Sequence, residues 1–340
     1  MTKRERVIAA LSHQDTDFIP YQMDFTQQAR EKMVEYYGDE NFSSKIGNHI
    51  SGTYYSGDTE PVPGKPGYFK DDFGVVWNRT GADKDIGNVE EYLLSEPDIS
   101  LLKLPAVPEE RLRQRCENAM ANAGDTFVAA SLGFSLFERA WTLTGMEDLL
   151  TYMVTEPEFV TALFDEITAF NMKIIKIFLE YDIDCIHFGD DWGQQQGLIM
   201  GPAMWRKFIK PQLAKMYGMA KEKGLFVSQH SCGDIQEVYP DLVEIGLNVH
   251  QTFQPEIYDI HATKAKYRGK LAFWGGISTQ RLLPFETPEG LVAKAKEIMS
   301  VVGKGGGLIV APTHSIPGDV PAENMAALIE LFQNQISKLQ

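Results

Sequence analysis

Along most of its length the chain alternates short apolar stretches with amphipathic ones, and this alternation restricts the fold more than anything else in the sequence. Seven stretches read as strands: Phe18–Phe25, Thr126–Leu132, Cys185–Phe188, Leu225–Ser228, Leu247–Thr252, Leu271–Gly275 and Leu308–Pro312. Between and around them the 3.6-residue period predicts helices over 2–13, 27–37, 111–123, 134–153, 157–180, 202–223, 235–245, 260–267, 287–302 and 321–339. Strands that alternate with helices are joined by crossovers and run parallel. The expected class is α/β, a TIM (β/α)8 barrel in one domain over residues 1–340. The count is one strand short of eight, and the missing one is expected in the irregular 80–105 region. An open nucleotide-binding sheet is unsupported, because no glycine-rich phosphate loop follows any strand.

Residues 43–105 have a different texture, rich in glycine and proline, and read as an insertion or cap. Within them Tyr68–Asn78 is expected to form a hairpin that turns at Asp71–Gly74.

A barrel presents its chemistry at the C-terminal ends of its strands. Those ends carry Asp24, then His187 with Asp190 and Asp191, then His230 and Cys232, then His250 and Gln251, then Trp274, then His314. His230 and Cys232 are two apart at the end of a strand, so they share a face. They read either as two ligands of a zinc ion or as a buried cysteine beside a hydrogen-bonded histidine. One of Asp190 and Asp191 is expected in the site, the other capping the segment that follows. His250 reads as a satisfied core histidine. Tyr21, Trp192 and Trp274 are candidates for an aromatic pocket wall, and Trp192, Trp205 and Trp274 equally suit the core.

The net charge of −15 and the lack of a basic stripe exclude nucleic acid and anionic membrane as partners. Three scattered cysteines make no disulfide framework, and the N-terminus has no secretory pattern, so a soluble cytoplasmic protein is expected.

Several segments resemble the uroporphyrinogen decarboxylase superfamily: Phe188-Gly-Asp-Asp-Trp-Gly193, Gly201-Pro202, His230-Ser-Cys-Gly-Asp-Ile235, Gly275-Gly-Ile277, Val310-Ala-Pro-Thr-His-Ser-Ile-Pro317 and Val320-Pro-Ala-Glu-Asn324. Asp71-Asp-Phe-Gly-Val-Val-Trp77 extends the resemblance toward the N-terminus. The resemblance implies a TIM barrel and either of two chemistries. The decarboxylases carry an arginine-rich motif after the first strand, for a substrate with many carboxylates. Here Asp24-Phe-Thr-Gln-Gln-Ala-Arg30 has one arginine. The chain is more similar to the cobamide-dependent methyltransferases, which bind zinc through His-x-Cys and a later cysteine. His230 and Cys232 match the first two ligands, and His314 stands in the segment of the third.

The resemblance therefore implies a zinc-dependent methyltransferase that works with a corrinoid (cobalamin) carried by a partner protein and with a small-molecule methyl donor. Asp24, Asp190 and Asp191 are the candidate catalytic carboxylates; Tyr21, His187, Trp192, Gln251 and Trp274 would contact substrate. A zinc with one thiolate and two imidazoles carries one positive charge, which suits a hard ether oxygen, so O-demethylation of a methoxylated aromatic compound is expected. The alternatives are a decarboxylase of the same superfamily and a non-catalytic corrinoid-binding module.

Overall fold

The computed structural model describes residues 1–55, 57–81 and 87–335. Seven strands form one curled parallel sheet: β1 (Ile50–Tyr55), β2 (Phe127–Leu132), β3 (Cys185–Gly189), β4 (Phe226–His230), β5 (Val249–Phe253), β6 (Ala272–Ile277) and β7 (Leu308–Pro312). Each strand pairs with the next in chain order, the TIM-like arrangement. Helices cover the outer face, the longest being Pro157–Phe178. No helix among the described residues is long and apolar enough to cross a membrane.

The missing strand lies at Ile50–Tyr55 and not in 80–105, so part of the expected 43–105 insertion belongs to the main sheet. Its sequence, Ile-Ser-Gly-Thr-Tyr-Tyr, has no apolar run to announce it. Gly52 is required there, since a Cβ would come within 1.8 Å of the Ala129 carbonyl oxygen on β2. The expected first strand, Phe18–Phe25, is reduced to single bridges, Tyr21 to Val310 and Phe25 to Ile316. Gln22 N–H donates to Val310 O at 3.2 Å and Val310 N–H to Pro20 O at 2.9 Å; on the other side His49 N–H donates to Tyr21 O at 3.1 Å. The segment thus hydrogen-bonds to both edges of the curled sheet.

Thr59–Pro61, Tyr68–Asp71, Val76–Asn78 and Asn88–Glu91 make a separate antiparallel sheet that contains the expected hairpin. The Asp71 carboxylate shapes the turn by accepting the Phe73 and Val75 amides at 3.0 and 2.9 Å. It also ties the sheet to the helix Phe137–Thr144, through Arg139 at 3.1 Å. The helix expected over 134–153 is two, Phe137–Thr144 and Met146–Thr155, broken at Gly145 with φ +94°.

The inside of the sheet is layered. At the strand starts, Ile50, Phe127, Cys185, Val249 and Ala272 form an apolar cluster with Val7 and Leu11. These last two come from the helix Lys3–Leu11, which starts at a capping box: Thr2 Oγ1 accepts the Glu5 amide and the Glu5 carboxylate accepts the Thr2 amide. The helix closes the N-terminal end, where its Arg6 is buried against His49 at 3.0 Å. Leu11→Ala is expected to cost about 2–5 kcal/mol of stability, the usual range for a buried leucine. A urea titration checks it, with the midpoint falling and the slope unchanged.

Candidate metal centre at the strand ends

His230 ends β4, and Gly233, at φ +74°, turns the chain away after Cys232. The loop after β3 lies against this turn. A Cβ on Gly193 would sit 2.5 Å from the Gly233 carbonyl carbon, so both positions need glycine. The two loops are stitched by Asp190 N–H to His230 O at 3.1 Å and Trp192 N–H to Ser231 Oγ at 3.0 Å. Cys232 N–H donates to Asp191 Oδ1 at 2.8 Å.

This framework brings together the three expected metal donors. One ligand atom from each of His230, Cys232 and His314 lies within 4.8 Å of the other two. Cys232 Sγ is 3.6 Å from His230 Nε2. With zinc–nitrogen and zinc–sulfur bonds of about 2.1 and 2.3 Å, a tetrahedral site needs an N···S separation of about 3.6 Å. His230 Nδ1 meets Gln251 Oε1, and an amide oxygen only accepts, so Nδ1 carries the hydrogen and Nε2 is the atom turned to Cys232. Burial opposes a charge on His230, but Asp191 and Cys232 outweigh it and hold its pKa well above the ordinary value. A surrounding that favours positive charge on the imidazole also favours a cation beside it. Burial and the nearby His230 lower the pKa of His314. The donors present fit a tetrahedral divalent ion.

The donors stand between two cavities. The inner one, about 160 Å³, is bounded by Gln22, Asp24, His187, Gln251 and Trp274, together with His230 and His314. The outer one, about 910 Å³, opens at the mouth, and Cys232 and His314 line it among glutamines and threonines such as Gln194, Gln254, Thr252 and Thr279. Among the described residues, neither has a lysine or arginine in its lining. In the inner cavity burial raises the pKa of Asp24, whose carboxylate accepts Gln22 Nε2 at 3.2 Å. Burial pushes His187 down to about 3; its Nδ1 is 2.8 Å from Ser228 Oγ and its ring 5.5 Å from that of Trp274.

Of the residues expected in the site, Asp24, His187, Gln251 and Trp274 line the inner cavity, and Asp191 touches the metal donors. Asp190, Tyr21 and Trp192 are placed elsewhere. Asp190 is fully buried and accepts the amides of Leu136, Phe137 and Glu138 at 3.3, 2.9 and 2.8 Å, which caps the helix Phe137–Thr144. Trp192 is fully buried against Trp205. Tyr21 points outward, its hydroxyl donating to Ile46 O at 2.9 Å and its ring against Phe332. His250 is a core residue, between Tyr239 Oη at 2.8 Å and Ser231 O at 3.2 Å. Gln22 was missed, although it stands two residues from Asp24 and so shares its face. Glu138 was missed without any signal; burial, Asp191 and Asp190 raise its pKa.

Residues 82–335 match the family model described as Uroporphyrinogen decarboxylase (URO-D). The chain belongs to the uroporphyrinogen decarboxylase family. No curated protein matches it. Among solved structures, a methyltransferase from Methanosarcina mazei superposes with a TM-score of 0.70 at 16% identity, covering 99% of each chain. A D-psicose 3-epimerase from Clostridium cellulolyticum H10 gives 0.43 at 11% identity, over 94% of this chain and 95% of the other. The first likeness shows that the fold of this uroporphyrinogen decarboxylase family member extends over the whole chain.

His250 supplies a pH prediction. Burial lowers its pKa to about 3, so the folded chain takes up this proton far below the ordinary 6.5. Its contribution to stability is complete above pH 6.5 and is lost as pH falls from there toward 3. Denaturant midpoints measured from pH 7 to 4 should fall, and His250→Gln should flatten that limb by up to about 1.4 kcal/mol per pH unit.

Proposed function

We propose that this member of the uroporphyrinogen decarboxylase family is a cytoplasmic methyltransferase, built on a closed (β/α)8 ring, that takes zinc at His230, Cys232 and His314. The inner cavity would hold a small methyl donor, and a corrinoid on a separate protein would meet the outer one. The observation that carries the reading is that three metal donors stand between two cavities whose lining, among the described residues, has no lysine or arginine. A substrate bearing many carboxylates needs several cations. Arg30, the one arginine of the stretch after Asp24, is exposed and donates instead to Glu40 O at 3.0 Å. That disfavours decarboxylation of a porphyrinogen. The amide- and hydroxyl-rich mouth suits a corrinoid, whose rim carries neutral amides.

The roles of the chain's own residues follow from their places. Gln251 fixes the tautomer of His230, and Trp274 with His187 offers a flat wall to a ring. Asp24, its pKa raised by burial, would pass a proton to the oxygen that leaves when its methyl group departs. Gln22 orients that carboxyl group. The cavity lies well below the roughly 300–1,000 Å³ that houses drug-sized ligands, which suits a single-ring methoxylated compound. Zinc would supply Lewis acidity toward the ether oxygen, and with one thiolate and two imidazoles it keeps a positive charge for that purpose.

The test combines metal analysis with assay. One zinc per chain is expected, with loss of the metal and of methyl transfer in Cys232→Ala. An aryl methyl ether should methylate a reduced corrinoid protein in the presence of the wild type. Bound zinc without transfer from any methyl donor would favour the corrinoid-binding module. Transfer to a thiol alone would overturn the assignment to demethylation. Asp24→Asn is expected to lower kcat by about 10²–10⁴-fold while zinc stays bound.

A further inference from the structure

The three donors leave one corner of a tetrahedron unassigned, and the Asp191 carboxylate stands beside two of the donor residues, at His230 Nε2 and at the Cys232 amide. Asp191 Oδ1 lies 3.4 Å from His230 Nε2. Two light donors on a tetrahedral zinc, each at about 2.1 Å, stand about 3.4 Å apart. The backbone on either side of Asp191 is pinned, by Asp190 N–H on His230 O and Trp192 N–H on Ser231 Oγ, so its Cα cannot drift from the centre. Its side chain is 35% exposed, unlike the fully enclosed Asp190, and therefore has room to swing.

We propose that Asp191 is the fourth protein ligand of the resting centre and gives up its place to the incoming heteroatom of the substrate. The proposal rests on the metal reading above and assigns to Asp191 a role in holding the ion. One thiolate and one carboxylate make a resting divalent centre neutral. When Asp191 is displaced, one positive charge is unmasked only where substrate has arrived. The Cys232 amide, 2.8 Å from Oδ1, gives the displaced carboxylate a partner, so the exchange leaves no buried anion without a hydrogen bond. No proton moves with an ether donor, because its oxygen brings a lone pair and no hydrogen.

The experiment reads metal affinity and coordination rather than turnover. Wild type, Asp191→Asn, Asp191→Glu and Cys232→Ala are compared by chelator competition for zinc and by the visible spectrum of the cobalt(II)-substituted protein. Asp191→Asn is expected to bind zinc at least tenfold more weakly and to change the cobalt bands. Asp191→Glu keeps a carboxylate and should hold the ion with shifted bands. Addition of an aryl methyl ether should change the wild-type spectrum and leave that of Asp191→Asn nearly unaltered. Circular dichroism of the metal-free proteins checks the fold, and if Asp191→Asn does not fold, the Asp191→Glu bands and the wild-type substrate titration decide. Affinity and spectra equal to wild type in the variants that fold would overturn the proposal while Cys232→Ala still loses the ion. A wild type that takes up no divalent ion would overturn the metal reading itself.

Discussion

The back-to-back contact of Gly193 and Gly233 governs the whole mouth of the sheet. Side chains at either position would drive Cβ into the opposite backbone at 2.2–2.5 Å. With both absent, the loop after β3 and the loop after β4 lock together, and four residues are held at once. Asp190 is turned inward to cap the helix Phe137–Thr144, Asp191 reaches the Cys232 amide, Trp192 enters the core, and Cys232 faces His230. One backbone contact thereby settles the different fates of two adjacent aspartates.

A second constraint is the apolar floor. The helix Lys3–Leu11 and the strand starts fill the lower interior with an apolar cluster, and the metal donors and both cavities lie near the C-terminal ends. Burial at those ends lowers the pKa of His187 to about 3 and raises that of Asp24. The net charge of −15 is carried elsewhere, since among the described residues Asp24 and Asp319 are the only acidic side chains lining the two cavities.

His230 shows how neighbours shape an ordinary side chain for the proposed metal. Gln251 on β5 fixes which nitrogen bears hydrogen, Cys232 sits at the edge length of a tetrahedron, and His314 arrives from the segment after β7. Each neighbour comes from a different part of the chain. The arrangement thus depends on the parallel order of the strands, which sets their C-terminal ends side by side.

Sequence by itself determined the parallel α/β class and the positions of six of the seven sheet strands, because the alternation of apolar and amphipathic stretches is a local property of the chain. It also determined that His230 and Cys232 share a face and that Asp24 stands at a mouth, both consequences of strand periodicity. The same parity rule puts Tyr21 on the opposite face from Asp24, a distinction the sequence contained and the expectation of a tyrosine in the pocket overlooked. Only tertiary structure decided the rest. Ile50–Tyr55 became a strand because its neighbours supply hydrogen bonds to a segment with little apolar character of its own. Asp190 and Asp191 separated because a helix N-terminus claims one and the Cys232 amide the other, and both partners are distant along the chain. His314 joined the donors through three-dimensional closeness to His230, which no spacing in the sequence encodes.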